Sequence, residues 1–162
     1  MDRFIAAGAF AVALASTALA EADPISSQLI GDWSSPCDAW GVAATCSSEW
    51  RVGKHHSHLV QEYAIRRAED GTLIFSGRGL YRFTGEDVDG MWEDSQGSVH
   101  ALTGRAADGT LRIIWGSATT EIGRSVYTRH EDGLSVRDSV LTDDGWREFM
   151  AVDYAAPEAL QE

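Results

Sequence analysis

The chain has 162 residues, of which 25 are acidic and 13 basic, so its formal net charge is −12. Proteins that bind nucleic acid or anionic membranes through phosphate groups need clustered Lys and Arg side chains. The basic residues here are scattered along the chain, so the composition argues against both classes of partner. An acidic surface is explained by solubility alone.

Residues 1–20 have the features of a secretion signal. The cationic side chain of Arg3 precedes an uncharged run rich in Ala, Phe, Val and Leu, which closes on the small-x-small pattern Ala-Leu-Ala. An uncleaved anchor is the alternative, but the run is short for a bilayer span. No Cys stands at the cleavage point, which disfavours a lipoprotein. We predict cleavage near Ala20, one domain over residues 21–162, no integral membrane segment after cleavage, and a periplasmic or secreted location.

The two cysteines, Cys37 and Cys46, both follow the predicted signal. In an oxidising compartment an even count of cysteines favours a disulfide. A metal or redox pair is the alternative, but neither Cys belongs to a C-x-x-C unit. We predict a disulfide that closes a short loop and contributes about 2 to 3 kcal/mol in the chain-entropy picture.

Regularly spaced turn signals divide the rest of the chain. Asp-Gly pairs tolerate the positive φ angles that tight hairpins need, and here they separate runs rich in β-branched and aromatic residues. They occur at Asp70-Gly71, Asp108-Gly109, Asp132-Gly133 and Asp144-Gly145. The short spacing leaves no room for βαβ crossovers and indicates an antiparallel meander.

Nine strands follow from these turns and from the alternation of apolar side chains. They are predicted at residues 47–52, 57–67, 72–83, 88–95, 98–105, 110–116, 121–130, 134–141 and 146–153. Nine or ten strands joined by tight turns favour an all-β fold, an antiparallel up-and-down β-barrel. A sandwich, the alternative, shows similar patterning. Gly77 and Gly79, inside one strand, permit the bending that closure of a small barrel needs.

Near the start of the predicted domain, Gly31-Asp32-Trp33 matches the G-x-W that opens the first strand of lipocalins and fatty-acid-binding proteins, the calycin superfamily. The segment resembles this superfamily. The resemblance implies that Trp33 plugs one end of the barrel and that an Arg from the last strand packs over it. Arg147 is the candidate for this barrel-closing contact, a guanidinium on an indole face.

A longer resemblance runs from Gln61 to Tyr154. The blocks GRGLYRF, VDGMWEDSQG, DGTLRIIWG and GRSVYTRHEDGLSVRD are similar to those of uncharacterised bacterial lipocalin-like domains, a group with no agreed activity. The short loops and the inserted segment at 37–46 depart from ordinary lipocalins, so a retinol-like ligand is not implied.

Alternation also selects candidate residues for the lumen of the barrel. If Trp92 points inward, Asp94 does so too. The ligand-binding candidates are Glu62, Arg78, Trp92, His100, Trp115, Arg124 and Tyr127, with Asp138 and Glu148 as further inward polar groups. Arg124 and Tyr127 cannot both point inward without a bulge. An inward Arg beside Tyr would hold a carboxylate, as the resemblance to fatty-acid-binding barrels implies. The alternative is that Arg and carboxylate side chains pair on the exterior.

A histidine cluster at residues 55–58 invites interpretation as a metal site. His56 and His58, two apart at a strand start, would project on one side and supply two imidazoles to Zn²⁺ or Cu²⁺, with His100 or Glu62 completing the site. The pattern is nonspecific, because histidines in a polar stretch are more often part of a solvated loop. Haem ligation by one of them is a further alternative. No cofactor is predicted.

These features lead to three hypotheses on function, with the oligomeric state left open. The first is an exported barrel that binds a small, mainly apolar or amphipathic molecule in its lumen without catalysis. The second is an isomerase, cyclase or hydrolase that uses a buried acid such as Glu62 or Asp138. The third is a structural or interaction protein of the cell envelope, with the barrel filled by side chains. Trp40, inside the predicted disulfide loop, is the candidate mouth or lid residue.

Overall fold

The structure is a computed structural model that describes residues 24–54 and 58–156. It has one short helix, α1 (Ile25–Leu29), and ten strands. The strands are β1 (Gly31–Ala39), β2 (Val42–Val52), β3 (Leu59–Arg67), β4 (Leu73–Thr84), β5 (Asp87–Asp94), β6 (Val99–Ala107), β7 (Thr110–Gly116), β8 (Ile122–His130), β9 (Gly133–Thr142) and β10 (Gly145–Ala155). The predicted signal peptide, residues 1–20, lies outside the described residues and stays a prediction. No helix in the described ranges has the length and apolar character needed to cross a bilayer.

The ten strands form a single antiparallel sheet in which each strand pairs with the next one along the chain. The first and last strands, β1 and β10, also lie against each other. The sheet therefore curls into a nearly closed barrel, which confirms the predicted all-β, up-and-down architecture over a sandwich. Odd-numbered strands run away from the end that carries α1, and even-numbered strands run back. We call the α1 end the closed end and the opposite end the mouth.

The first hairpin is the main departure from the predicted strands. The sequence predicts a loop between Cys37 and Cys46, whereas β1 and β2 pair through this segment. The turn is made by Trp40 and Gly41, whose φ angles are 55° and 85°, and Asp38 Oδ1 accepts a hydrogen bond from the backbone N–H of Gly41 at 2.7 Å. A two-residue hairpin turn of this kind requires two positive φ angles. Trp rarely adopts a positive φ, so no turn signal marks the position.

The predicted disulfide is confirmed. Cys37 and Cys46 are bonded, with their Cα atoms 5.8 Å apart. Cys37 lies opposite Ala44 and Cys46 opposite Ser35, so the bond runs diagonally across the first hairpin. It ties β1, at one side of the barrel seam, to the strand that follows it.

Reducing this disulfide is expected to lower the free energy of unfolding by about 2 kcal/mol. The two cysteines are nine residues apart in sequence, and without the bond the unfolded chain regains the conformational entropy of the loop between them. Urea unfolding with and without dithiothreitol measures the loss. The double variant Cys37→Ala with Cys46→Ala is the control, and it should unfold at the same urea concentration under both conditions. Equal midpoints for oxidised and reduced wild-type protein would contradict the prediction.

The closed end of the barrel is plugged by α1 and Trp33. The indole Nε1 of Trp33 donates a hydrogen bond to the carbonyl oxygen of Leu29 at 2.8 Å, and both side chains are buried. The guanidinium of Arg129 lies over the Trp33 ring, 5.5 Å from its centroid. The barrel-closing contact predicted for Arg147 is thus made by Arg129. The reason is strand direction: Arg147 is exposed near the start of β10, at the mouth.

Candidate ligand-binding cavity

A cavity of about 220 Å³ occupies the mouth half of the barrel. Its walls are mainly aromatic and come from strands around the whole barrel: Tyr63, Phe75, Trp92, Trp115, Phe149 and Tyr154, with Trp40 at the rim. Neighbouring rings meet edge to face, with centroids 6.1 Å apart for Tyr63 and Phe75 and 6.4 Å apart for Trp115 and Phe149. Such walls suit a small ligand that carries a ring.

Two glycines allow the indoles of the cavity wall to lie close to the backbone of the neighbouring strand. A Cβ atom at Gly77 would come within 2.0 Å of Trp92 Cζ2, and a Cβ atom at Gly123 within 1.9 Å of Trp115 Cζ2. Any side chain at either position would therefore push an indole inward. Gly77, interpreted from the sequence as a bending residue, has this additional packing role.

The floor of the cavity is a closed hydrogen-bond network around Gln61. Its Nε2 donates to Ser48 Oγ at 2.9 Å, and its Oε1 accepts from the hydroxyls of Tyr81 at 2.7 Å and Tyr127 at 3.4 Å. All four side chains are buried. Burial raises the pKa of the Tyr81 and Tyr127 hydroxyls above the ordinary value for tyrosine, so both stay neutral donors at physiological pH.

Asp138, on β9, is the acidic group set deepest in the cavity wall. Burial raises the pKa of its carboxyl from 3.8 to about 6, partly offset by a hydrogen bond with Ser125, and the charge of Glu148 adds to the rise. Ser125 Oγ also accepts a hydrogen bond from Trp115 Nε1 at 3.2 Å. One indole of the wall is thereby linked through Ser125 to this carboxyl.

The mouth carries two more carboxylates and one imidazole. Asp94 and Glu121 line the entrance together with His100. Asp94 Oδ1 accepts hydrogen bonds from the backbone N–H groups of Gln96 at 2.9 Å and Ser98 at 3.1 Å, which fixes the turn between β5 and β6. The ring of His100 lies 5.5 Å from that of Trp115.

The structure brings four of the predicted ligand-binding residues together around the cavity: Trp92, His100, Trp115 and Tyr127. Glu62 and Arg78 lie elsewhere. They face each other across β3 and β4 on the outer surface and form an ion pair of 3.0 Å between Arg78 Nε and Glu62 Oε1, with side chains 50% and 55% exposed. Their neighbours Gln61 and Gly79 occupy the inward positions, and a one-residue step along a strand reverses the face.

Arg124 also lies on the outer face of the barrel. Ser125 and Tyr127 of the same strand line the cavity, so alternation turns Arg124 outward, where its guanidinium sits 4.5 Å from the ring centroid of Trp146. Tyr127 therefore points into the lumen, and β8 needs no bulge.

The last strand, β10, directs Phe149 into the cavity, whereas the sequence predicts Glu148 as the inward residue. A bulge between Glu148 and Met150 shifts the register of β10 against β9. Phe149 lines the cavity, and Glu148 is exposed. The bulge carries no sequence signal that alternation reveals.

An inward Arg that would bind a carboxylate is therefore not found among the described residues that line the cavity, since they include no Lys or Arg. Sequence reasoning also missed Gln61, Ser125 and Phe149. Residues two apart on a strand share a face, so Tyr63, an aromatic residue two positions after Gln61, marks the inward face of β3. This is the signal that could have identified Gln61 in place of Glu62.

Of the histidines predicted as candidate metal ligands, His58 and His100 are among the described residues. His56 lies outside the described residues. His58 is in the turn between β2 and β3, at the closed end, where its carbonyl oxygen accepts a hydrogen bond from Gly53 N at 2.8 Å. His100 is at the mouth, so His58 and His100 cannot share an ion. In the ranges that the structure describes, no group of three or more His, Cys, Asp and Glu side chains is arranged to hold a metal.

Comparison with known proteins gives no further guide to this site. The chain matches no family model and no curated protein at a significant level. The ten-strand barrel is compatible with a calycin-like architecture.

Proposed function

We propose that this protein is an exported, calycin-like barrel that binds one small, mainly apolar molecule in its cavity without catalysis. The observation that carries the proposal is the aromatic cavity of about 220 Å³ between a plugged closed end and an accessible mouth. An apolar cavity of about 150 Å³ holds benzene, whereas drug-sized ligands occupy about 300–1,000 Å³. The expected ligand is a single ring with a short substituent.

Export to the periplasm or the outside of the cell is part of this proposal. The predicted signal at residues 1–20 and the Cys37–Cys46 disulfide support it, because such bonds persist in oxidising compartments. The acidic composition supports a dispersed, soluble carrier with no nucleic-acid partner. An open cavity disfavours the alternative of a barrel filled with side chains.

Native mass spectrometry of protein purified from its own compartment is the first test, since a retained mass identifies a ligand directly. Benzyl alcohol serves as a neutral single-ring probe in calorimetry. Replacing Trp92, which forms part of the wall, by alanine should weaken benzyl alcohol binding about tenfold because the ring loses contact area. The control is Arg124→Ala on the outer face, which should bind as the wild type does. Absence of both a retained mass and probe binding, or equal binding by both variants, would contradict the proposal.

Acid–base catalysis on a bound molecule is a second candidate, favoured by Asp138. Its carboxyl lines the cavity, and a pKa of about 6 allows it to exchange a proton near neutral pH. Glu62, the other acid considered, lies in an ion pair on the outer surface. NMR spectra of the retained molecule after incubation with wild-type and Asp138→Asn protein separate the two functions. A product that forms only with the wild type supports catalysis, and an unchanged molecule supports binding.

A further inference from the structure

The distribution of charge inside the barrel is one-sided. Among the described residues that line the cavity there are three carboxylates, those of Asp94, Glu121 and Asp138, and no Lys or Arg. Six arginines of the described barrel form ion pairs with carboxylates on the outer surface. These pairs are Arg51 with Asp32, Arg67 with Asp70, Arg78 with Glu62, Arg82 with Asp89, Arg105 with Glu86 and Arg137 with Asp153. These exterior carboxylates thus have a cationic partner, whereas no ion pair with Lys or Arg is formed by the three cavity carboxylates among the described residues.

Asp138 is the carboxylate that most needs a partner. It lies within the barrel between Ser125 on β8 and Met150 on β10, and its side-chain hydrogen bond is with Ser125. Among the described residues, no Lys or Arg forms an ion pair with it. An ionised carboxylate removed from water is costly unless a cation or several donors meet it. The open side of this group faces the cavity.

The walls around this carboxylate are also suited to a cation. Trp92, Trp115 and Tyr63 present aromatic rings to the same space, with the centroids of Tyr63 and Trp92 6.4 Å apart. Aromatic faces attract ammonium groups, most strongly where water is excluded. The tyrosine hydroxyls of the floor stay neutral, so they neither repel nor replace a cation.

The negative electrostatic potential at the mouth and around the whole protein favours the entry of a cation. Asp94 and Glu121 lie at the mouth, and the whole chain carries a formal charge of −12. Carboxylates at an entrance raise the local concentration of oppositely charged ligands and speed their association.

We propose that the ligand is a small protonated amine with an aromatic or other ring body, whose ammonium group pairs with Asp138 while its ring packs between Trp92 and Trp115. This inference rests on the proposed binding function and specifies its ligand class. It replaces the anionic ligand that an inward Arg would have selected.

Three probes with the same ring and different charge test the inference by calorimetry near neutral pH. They are benzylamine, a cation, benzyl alcohol, which is neutral, and benzoate, an anion. We expect benzylamine to bind at least about tenfold more tightly than benzyl alcohol, because it adds an ion pair and cation–π contacts, and benzoate to show no measurable binding. This comparison needs only the wild-type protein.

The variant Asp138→Asn keeps the shape of the side chain and removes its charge. It should reduce the preference for benzylamine over benzyl alcohol to about threefold or less. The control, Asp89→Asn, removes an exterior carboxylate that pairs with Arg82 and should retain the full preference.

Two kinds of result would overturn the inference, and they are distinguishable. Equal affinity for benzylamine and benzyl alcohol, tighter binding of benzoate, or an unchanged preference in Asp138→Asn would reject the amine and leave ligand binding in place. If none of the three probes binds and purified protein retains no mass, the proposed binding function fails and the inference fails with it.

Discussion

Replacing Trp50 by alanine is expected to lower the free energy of unfolding by about 3–5 kcal/mol, the range for truncating a large aromatic side chain in a packed core. Trp50 is 0% exposed and lies directly beneath the cavity floor. Its ring centroid is 4.8 Å from that of Tyr81 and 5.5 Å from that of Tyr127. The variant would leave a void under the Gln61 network. Urea unfolding followed by circular dichroism measures the loss.

Two variants show whether burial causes this loss. Trp40→Ala removes the same side chain from a position that is 56% exposed, and it should cost less than about 1 kcal/mol. Trp50→Phe keeps a ring in the core. It should cost less than half as much as Trp50→Ala, because the Trp50 Nε1 atom that it removes is buried without a hydrogen-bond partner. Similar losses for Trp40→Ala and Trp50→Ala would show that the packing described here is not the cause.

The second large effect is expected for Asp138→Asn, which should stabilise the ligand-free protein by about 3 kcal/mol at pH 7 to 8. The carboxyl has an ordinary pKa of 3.8 when unfolded and a pKa of about 6 in the folded barrel, where it is half-buried in the cavity wall. Each unit of difference corresponds to about 1.4 kcal/mol. The folded state therefore binds a proton at Asp138 more tightly than the unfolded state does. This bound proton stabilises the fold below about pH 4, and the stabilisation is lost as the pH rises through 6.

The difference in unfolding free energy between Asp138→Asn and the wild type should therefore be near zero at pH 4 and grow until about pH 7. Urea denaturation at several pH values gives this difference directly. Asp89→Asn on the outer face serves as the control, and it should change stability by less than about 1 kcal/mol throughout, since exposed ion pairs contribute little. A constant difference between Asp138→Asn and wild type across this pH range would show that Asp138 is not the titrating group.

Most of the fold could be predicted from turn chemistry. The Asp-Gly pairs place four of the seven hairpins from β3 onward, those that join β3 to β4, β6 to β7, β8 to β9 and β9 to β10. The predicted strand at 110–116 has the bounds of β7. The first hairpin could not be predicted in the same way, because its turn uses Trp40 at a positive φ and its strands contain Ser, Pro and Asp. Rules based on residue type predict a turn correctly where the residue itself favours the backbone conformation. They fail where tertiary packing imposes a backbone conformation that is uncommon for that residue.

The site was predictable to the extent that strands alternate regularly. Trp92, Trp115, Tyr127 and Asp138 follow the period of two and line the cavity. The prediction for Arg78 does not follow that period, since Tyr81, three residues further along the same strand, points inward. Phe149 depends on a bulge. The charge that lines the cavity could not be predicted, because it depends on the face that each of these residues takes. A shift of one residue along a strand replaces an inward Arg by a Gly, or an inward Glu by a Gln.

The neighbour-only order of the strands has a consequence for how the chain assembles. Every ladder joins strands adjacent in sequence, so each closes a short loop and can form early, which is the property of topologies with low contact order. The meeting of β1 and β10 is different, since it brings together segments near opposite ends of the described chain. Loop-closure entropy grows with the length enclosed, so the conformational search is concentrated in this one step. The Cys37–Cys46 bond joins β1, which forms one side of that seam, to β2, so one edge of the closing step is covalently held to its neighbour.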